Sequence, residues 1–177
     1  MVVYISYSRQ SVGAAFKLGE ALDRLQVKTW LDLRELSTGA DWNEKVAEAI
    51  HSADAFVFLI GPPGPYDRLQ QFEWQQVVEE EYYLDSTKAL IPVVIGQAEI
   101  PGFLSARKQI AVDASTIDFE AIASVIAEWI GRPEDTIDPV RLERGRRARD
   151  LALKNLREYS LELKQEDAKR AGVRGLK

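Results

Sequence analysis

The chain has 177 residues, a length that fits one domain with an appendage rather than two full domains. It has no cysteine, which excludes disulfides, thiolate nucleophiles and zinc sites with a sulfur ligand. Its single histidine, His51, excludes multi-histidine metal sites, and we therefore expect no metal centre.

The net charge of −5 is unevenly spread along the chain. Residues 139–177 hold 12 Lys or Arg against 6 Asp or Glu, which leaves 11 basic and 22 acidic residues in the main body, residues 1–138. Because this body is strongly acidic, it matches nucleic acid poorly, and we do not expect a nucleic-acid partner. The tail is basic but interleaved with acids, a pattern typical of a solvated helix face.

Membrane and export signals are not evident in the sequence. No apolar run approaches the roughly 18 residues that cross a bilayer. The N-terminus lacks a basic region followed by an apolar stretch. We therefore expect a cytoplasmic protein without a membrane partner.

Apolar segments predict an alternating order of strands and helices. Apolar residues that recur three and four positions apart predict helices after Ser11, after Asp41, around residues 74–82 and over 119–130. Pro92 is unusual inside a strand, because it cannot donate to a ladder, and it predicts an edge position or a bulge. The predicted strands are short and almost continuously apolar: residues 2–6, 27–31, 55–60, 90–95 and 109–112. Such strands favour a doubly wound, parallel α/β sheet with helices on both faces.

Ligands of such sheets bind beyond the carboxyl ends of the strands. This rule selects residues 7–11, 32–42 and 61–69, and the stretch that begins at Gly96. After the sheet, Asp138 and Pro139 predict the start of a long helix. We expect this basic amphipathic extension, residues 133–177, to dock on the domain or on another chain, and to serve either as a linker to a downstream domain or partner or as an oligomerising arm.

Three segments, taken in order, carry a family resemblance. The first is residues 3–9, which read VYISYSR. The second runs from Trp30-Leu31-Asp32 to Trp42, and the third is the polar-to-apolar segment at residues 69–78. In this order, they resemble three sequence motifs of the Toll/interleukin-1 receptor (TIR) domain family, bacterial type. These motifs are the family's first conserved box, its second box with the BB loop, and the helix that carries its glutamate. The resemblance covers about residues 1–132 and implies a flavodoxin-like sheet of five strands.

In this family many domains are protein-interaction modules, whereas others cleave NAD+ at the nicotinamide–ribose bond. The cleaving members need a glutamate on the third helix, commonly preceded four residues earlier by tryptophan. Aligning Glu73-Trp74 with the family's Glu-Trp pair puts Leu69 at the tryptophan position. Anchoring on Trp74 instead puts Val78 at the glutamate position, with Glu79 one residue away. We favour Glu73.

The resemblance implies NAD+ as substrate and no cofactor. Nicotinamide leaves as a neutral group, so one carboxylate suffices, unlike the usual pair in glycosidases. The resemblance makes Glu73 the catalytic residue. It places the following residues at the binding site: Tyr7, Ser8, Arg9, Ser11, Asp32, Arg34, Trp42 and Leu69.

Several of these residues have a plainer interpretation that stays open. Glu73 could be a solvated acid in a first helical turn, and Trp42 could anchor the core through its spacing to Val46 and Ile50. Ser11 could simply cap the next helix, and Asp32 could form a turn.

Two functions follow from the resemblance. The first is an NAD+ glycohydrolase, forming linear or cyclic ADP-ribose, in signalling or immune defence. Self-association through TIR–TIR contacts, with a neighbour's BB loop completing the pocket, would activate it. The second is a noncatalytic module that recruits other TIR domains. A phosphate sensor fits less well, because neither an acidic pair nor a Gly-rich loop follows the first strand.

Overall fold

The computed structural model describes residues 1–32, 42–62, 70, 73, 74, 77, 88–141, 143, 144, 146–151, 153 and 154, with residues 42 and 43 described by their backbone alone. Its strands are β1 (Val2–Tyr7), β2 (Lys28–Trp30), β3 (Ala55–Ile60), β4 (Ala89–Ile95) and β5 (Ile110–Val112). Its helices include α1 (Val12–Arg24), α2 (Trp42–Ser52) and α3 (Phe119–Ile130). Residues 70, 73, 74 and 77 are also helical, and we call them the Glu73 segment.

The described strands form one parallel sheet in the order β2-β1-β3-β4-β5. Its central strand is β3, and in the β1–β3 pair Tyr4 lies beside Phe56 and Ser6 beside Phe58. This order confirms the predicted flavodoxin-like, doubly wound α/β fold. It also brings the carboxyl ends of β1 and β3 together at one edge of the sheet.

One face of the sheet, which we call the first face, is covered by α1 and α3. β1 contributes Val3 and Ile5 to it, and β3 contributes Val57. The helices contribute aliphatic side chains that are buried in the same cluster: Ala15, Leu18, Leu22, Ile122, Ala123 and Ile126. Each fully buried Leu or Ile of this kind stabilises the fold by about 1.5–3 kcal/mol through removal of apolar surface from water.

The second face carries the alternate residues of the same strands, because successive side chains of a strand point to opposite faces. It is rich in aromatic rings, with Tyr4 from β1 and Phe56 and Phe58 from β3. The elements that cover it contribute Val46, Ala49, Ile50, Trp74, Val77, Phe103 and Leu104.

Pro92 lies in β4, which is flanked by β3 and β5 and is not an edge strand. The β4–β5 pairing begins only at Val93, whereas the β3–β4 pairing includes Pro92 opposite Phe58. Among the described residues, the first half of β4 therefore has a hydrogen-bonded neighbour on one side only. This local edge tolerates a residue that has no N–H to donate.

The extension after α3 starts by docking on the same chain. The backbone N–H of Lys108 donates to the carbonyl of Thr136 at 2.8 Å, and that of Asp138 donates to Ala106 at 2.7 Å. The buried Arg107 side chain donates to Thr136 Oγ1 at 3.3 Å. Further on, Leu153 packs against the second-face cluster. The tail beyond residue 154 lies outside the described residues.

Candidate functional site

The Glu73 carboxylate is buried under the second face, and its side chain meets β1. The Tyr4 hydroxyl donates to Glu73 Oε1 at 2.7 Å, and the Ser6 hydroxyl donates to Oε2 at 2.5 Å. Only 2% of the Glu73 surface is exposed. Tyr4 and Ser6 point to the same face because they are two residues apart in a strand. One strand therefore supplies a hydroxyl donor to each oxygen of the carboxylate.

Trp74 extends this network by one step. Its indole Nε1–H donates to Ser6 Oγ at 3.1 Å. Its ring meets Phe103 edge-on, with centroids 5.6 Å apart, and packs similarly on Phe58 at 6.3 Å. The Ser6 hydroxyl accepts from Trp74 while it donates to Glu73, so the indole, hydroxyl and carboxylate form a chain of hydrogen bonds. Packing of the Trp74 ring fixes this chain in place.

Tyr4 is held rigidly between aromatic rings. It stacks on Trp30 with centroids 4.7 Å apart and planes 16° apart, and it lies against Phe56 at 6.1 Å. Burial raises the pKa of the Tyr4 phenol far above its ordinary range, and the nearby charge of Glu73 and its hydrogen bond raise that pKa further. The phenol therefore stays protonated and remains a hydrogen-bond donor.

A second phenol–carboxylate contact lies on the first face. The Tyr7 hydroxyl donates to Asp32 Oδ1, and both side chains are buried. Asp32 is the last described residue before the predicted BB loop, residues 33–41, which lies outside the described residues. The contact ties the start of that loop to the carboxyl end of β1.

The predicted binding residues after β1 form a short turn at residues 8–11. The Ser8 hydroxyl donates to Ser11 Oγ at 3.2 Å, and the Ser11 backbone N–H donates to the Ser8 carbonyl at 2.8 Å. Ser11 occupies the N-cap position of α1, as predicted, but its side chain makes no capping hydrogen bond. A Cβ placed on Gly61 would lie 3.0 Å from Ser11 Oγ, so the ends of β1 and β3 approach closely here. Arg9 lies in the same turn and is exposed.

The remaining predicted site residues fall outside what the structure describes. Arg34 and Leu69 lie outside the described residues, as do Val78 and Glu79, which belong to the alternative alignment. Trp42 begins α2, and only its backbone is described. The roles assigned to these residues stay predictions.

Tyr4 and Ser6 were not among the predicted site residues, although they contact Glu73 directly. Both lie in a strand whose apolar run predicts plain core residues. The signal that could have found them is their spacing, because residues 4 and 6 share a face. A tyrosine and a serine on one buried face each need a hydrogen-bond partner, and these needs point to a buried polar group between the sheet and a covering helix.

Two open clefts lie elsewhere on the molecule. A cleft of about 640 Å³ lies between α1 and the start of α3 and includes Lys17, Arg24 and Phe119. Another, of about 260 Å³, lies between β5 and α3. Neither cleft is lined by a predicted site residue.

The described part of the chain holds neither a cluster of metal ligands nor a membrane-spanning helix. Within it, no group of three His, Asp or Glu side chains is arranged to hold a metal ion. None of the described helices is long and apolar enough to span a membrane.

Comparison with known proteins identifies the family. A family model described as TIR domain matches residues 3–130. No curated protein matches the chain at a significant level. Two of the solved structures that resemble this fold are TIR proteins.

The first is the TIR domain of the Toll-related receptor TRR-2 from Hydra magnipapillata. It has a TM-score of 0.55 and 18% identity, over 73% of this chain and 98% of that chain. The second is a metazoan TIR-STING receptor from C. gigas, in complex with 2′,3′-cGAMP. It has a TM-score of 0.59 and 19% identity, over 70% of this chain but only 38% of that chain. The likenesses show a shared fold, and with the match over residues 3–130 they lead to one conclusion: this chain belongs to the TIR domain family.

Proposed function

We propose that this chain is a TIR-domain NAD+ glycohydrolase and that Glu73 is its reacting carboxylate. The observation that carries the proposal is the Glu73 carboxylate itself, which is buried and receives a hydroxyl hydrogen bond on each oxygen. An enzyme that acts through one carboxylate needs that group held in a fixed orientation, because preorganised charge stabilises a transition state best.

The proposed chemistry matches the residues that the chain offers. The bond between the nicotinamide nitrogen and the ribose C1′ breaks, and its electron pair leaves with neutral nicotinamide. Positive charge develops on the ribose, and an ionised carboxylate nearby stabilises it. Water, or a hydroxyl of the same substrate, then bonds to C1′ and loses a proton, giving linear or cyclic ADP-ribose. Neither a thiol nor a second acid is required.

The burial of Glu73 gives a reason for activation by self-association. A carboxylate that is 2% exposed offers almost no surface to a ribose in this state of the chain. We propose that TIR–TIR contacts, including a neighbour's BB loop, favour a state in which NAD+ reaches Glu73. Activity should therefore rise more steeply than protein concentration, and we propose a cytoplasmic role in signalling or immune defence.

The alternative is a noncatalytic TIR module that recruits other TIR domains. The same hydrogen bonds favour it, because they tie the Glu73 segment to β1 and thereby give the carboxylate a structural task. The C-terminal extension would serve as the link to a downstream domain or partner in either case.

Nicotinamide release, measured over a wide range of protein concentration, separates these functions. The wild type should release nicotinamide only when assembled, and Glu73→Gln should release almost none. Glu79→Gln is the matched control, since it removes the same charge six residues later in the sequence. Loss of activity in Glu79→Gln with turnover retained in Glu73→Gln would show that the alternative alignment is right. Assembly of the wild type without NAD+ consumption would support the noncatalytic module.

A further inference from the structure

We propose that Tyr4 is a positioning residue, whose hydroxyl orients the Glu73 carboxylate for the proposed NAD+ cleavage. This inference rests on the proposed function. Tyr4 itself is almost fully buried, so it acts through Glu73 rather than by touching the substrate.

Tyr4 has little freedom to move. Its ring is stacked on Trp30 and packed against Phe56, and it lies in β1, an internal strand of the sheet. A hydroxyl fixed in this way gives Oε1 a single preferred position. Supporting groups locked by packing in this manner are what holds a catalytic side chain within about 0.5 Å of its working geometry.

The hydroxyl of Tyr4 also acts on the charge of the Glu73 carboxylate. A hydrogen bond donated to an ionised carboxylate favours the charged form, and two such bonds reach Glu73 from Tyr4 and Ser6. Asp32 and Tyr7 also act electrostatically on the Tyr4 phenol, from the β1–β2 side. The members of the second-face cluster from α2 and from residues 102–104 are apolar: Val46, Ala49, Ile50, Phe103 and Leu104. The two β1 hydroxyls therefore favour the charged form of Glu73 against the desolvation that burial imposes on it.

A single substitution isolates the effect of the Tyr4 hydroxyl. Tyr4→Phe removes one oxygen and keeps the ring that stacks on Trp30, so packing is preserved while the donor to Oε1 is lost. Ile126→Val is the matched control for a small loss of stability. Ile126 is buried in α3 on the first face, on the other side of the sheet from Glu73.

The test measures NAD+ cleavage by the assembled full chain over a range of pH, at a temperature where all variants are folded. Tyr4→Phe should lower kcat by about tenfold, the equivalent of one hydrogen bond to a charged group, and leave KM unchanged. The acid limb of its kcat profile should move to higher pH, because Glu73 has lost a donor. Ile126→Val should keep the wild-type profile.

A second measurement follows the protonation of the Glu73 carboxyl directly and does not depend on activity. Carbon-13 NMR of the Glu73 carboxyl, titrated in the wild type and in Tyr4→Phe, should show a higher pKa in the variant. An active Tyr4→Phe enzyme with a wild-type pH profile and an unmoved Glu73 titration would overturn this inference and leave the proposed function intact. An assembled wild type that does not cleave NAD+ would overturn the proposed function, and the positioning role with it, whatever the titration shows.

Discussion

The two faces of the sheet are built from the same strands but differ in chemistry. On the first face, β1, β3 and the helices α1 and α3 form a largely aliphatic cluster. On the second face, β1 and β3 contribute aromatic and hydroxyl side chains as well as Ile60, and two of the hydroxyls bind a buried carboxylate. The first face holds the Tyr7–Asp32 contact beside an aliphatic core, whereas the second face holds a longer network that runs from Trp74 through Ser6 and Glu73 to Tyr4 among aromatic rings. Aliphatic packing therefore carries more of the stability on the first face than on the second.

Strand β1 makes this division possible. Val3 and Ile5 point to the aliphatic face, whereas Tyr4 and Ser6 point to Glu73. The difference predicts that substitutions on the first face change stability, whereas conservative substitutions on the second face change the Glu73 network at a smaller cost in stability.

The largest effect is expected from a cavity on the first face. Leu18 of α1 is completely buried there, and Leu18→Ala should lower the free energy of unfolding by about 2–5 kcal/mol. Urea denaturation followed by circular dichroism measures this loss. A loss below about 1 kcal/mol would contradict the close packing of α1 on the sheet.

A smaller effect is expected from the hydroxyl of Ser6 on the second face. Ser6→Ala removes the donor to Glu73 Oε2 and the acceptor for the Trp74 indole. It should therefore lower the free energy of unfolding by about 1–3 kcal/mol. Ser8→Ala is the matched control, because Ser8 lies two residues later and its hydroxyl donates to Ser11 Oγ at 3.2 Å, in the turn beyond β1. Equal unfolding free energies for Ser6→Ala and the wild type would show that the network contributes nothing to stability.

The smallest effect is expected from alkaline pH. Folding raises the pKa of the Tyr4 phenol above its ordinary value of 10.0. The stability that depends on the protonated phenol is therefore fully present below pH 10 and is lost as the pH rises above 10. Above pH 10 the free energy of unfolding of the wild type should fall by up to about 1.4 kcal/mol more per pH unit than that of Tyr4→Phe, because phenylalanine has no proton to lose. Unfolding measured in urea between pH 8 and pH 11 tests this. Parallel pH dependences of the two proteins would contradict it.

Most of the scaffold could be predicted from the sequence because strands and helices have different hydrophobic periods. The predicted strand at residues 55–60 matches β3, and the predicted helix at 119–130 matches α3. The second strand is shorter than predicted, since only Lys28–Trp30 pairs with β1. The prediction of an edge position for Pro92 was wrong in part. Its strand, β4, is internal, although the half of β4 that contains Pro92 pairs with β3 and not with β5.

The surroundings of Glu73 were harder to predict. Local spacing indicates where a residue lies along its own helix, but its contacts with β1 join residues 67 and 69 positions apart. Such contacts depend on how a helix lies across the sheet, which no local pattern gives. The role of Glu73 in chemistry stays a prediction.

The most direct test of the central claim is NAD+ turnover by the full chain, assembled by fusion to an oligomeric scaffold, in the wild type and in Glu73→Gln. Glutamine keeps the size of the side chain and can still accept from one of the β1 hydroxyls. The account predicts steady nicotinamide release by the assembled wild type and a loss of at least about a hundredfold in Glu73→Gln, in line with the removal of a transition-state stabilising group. Equal release by the two assembled proteins would contradict it.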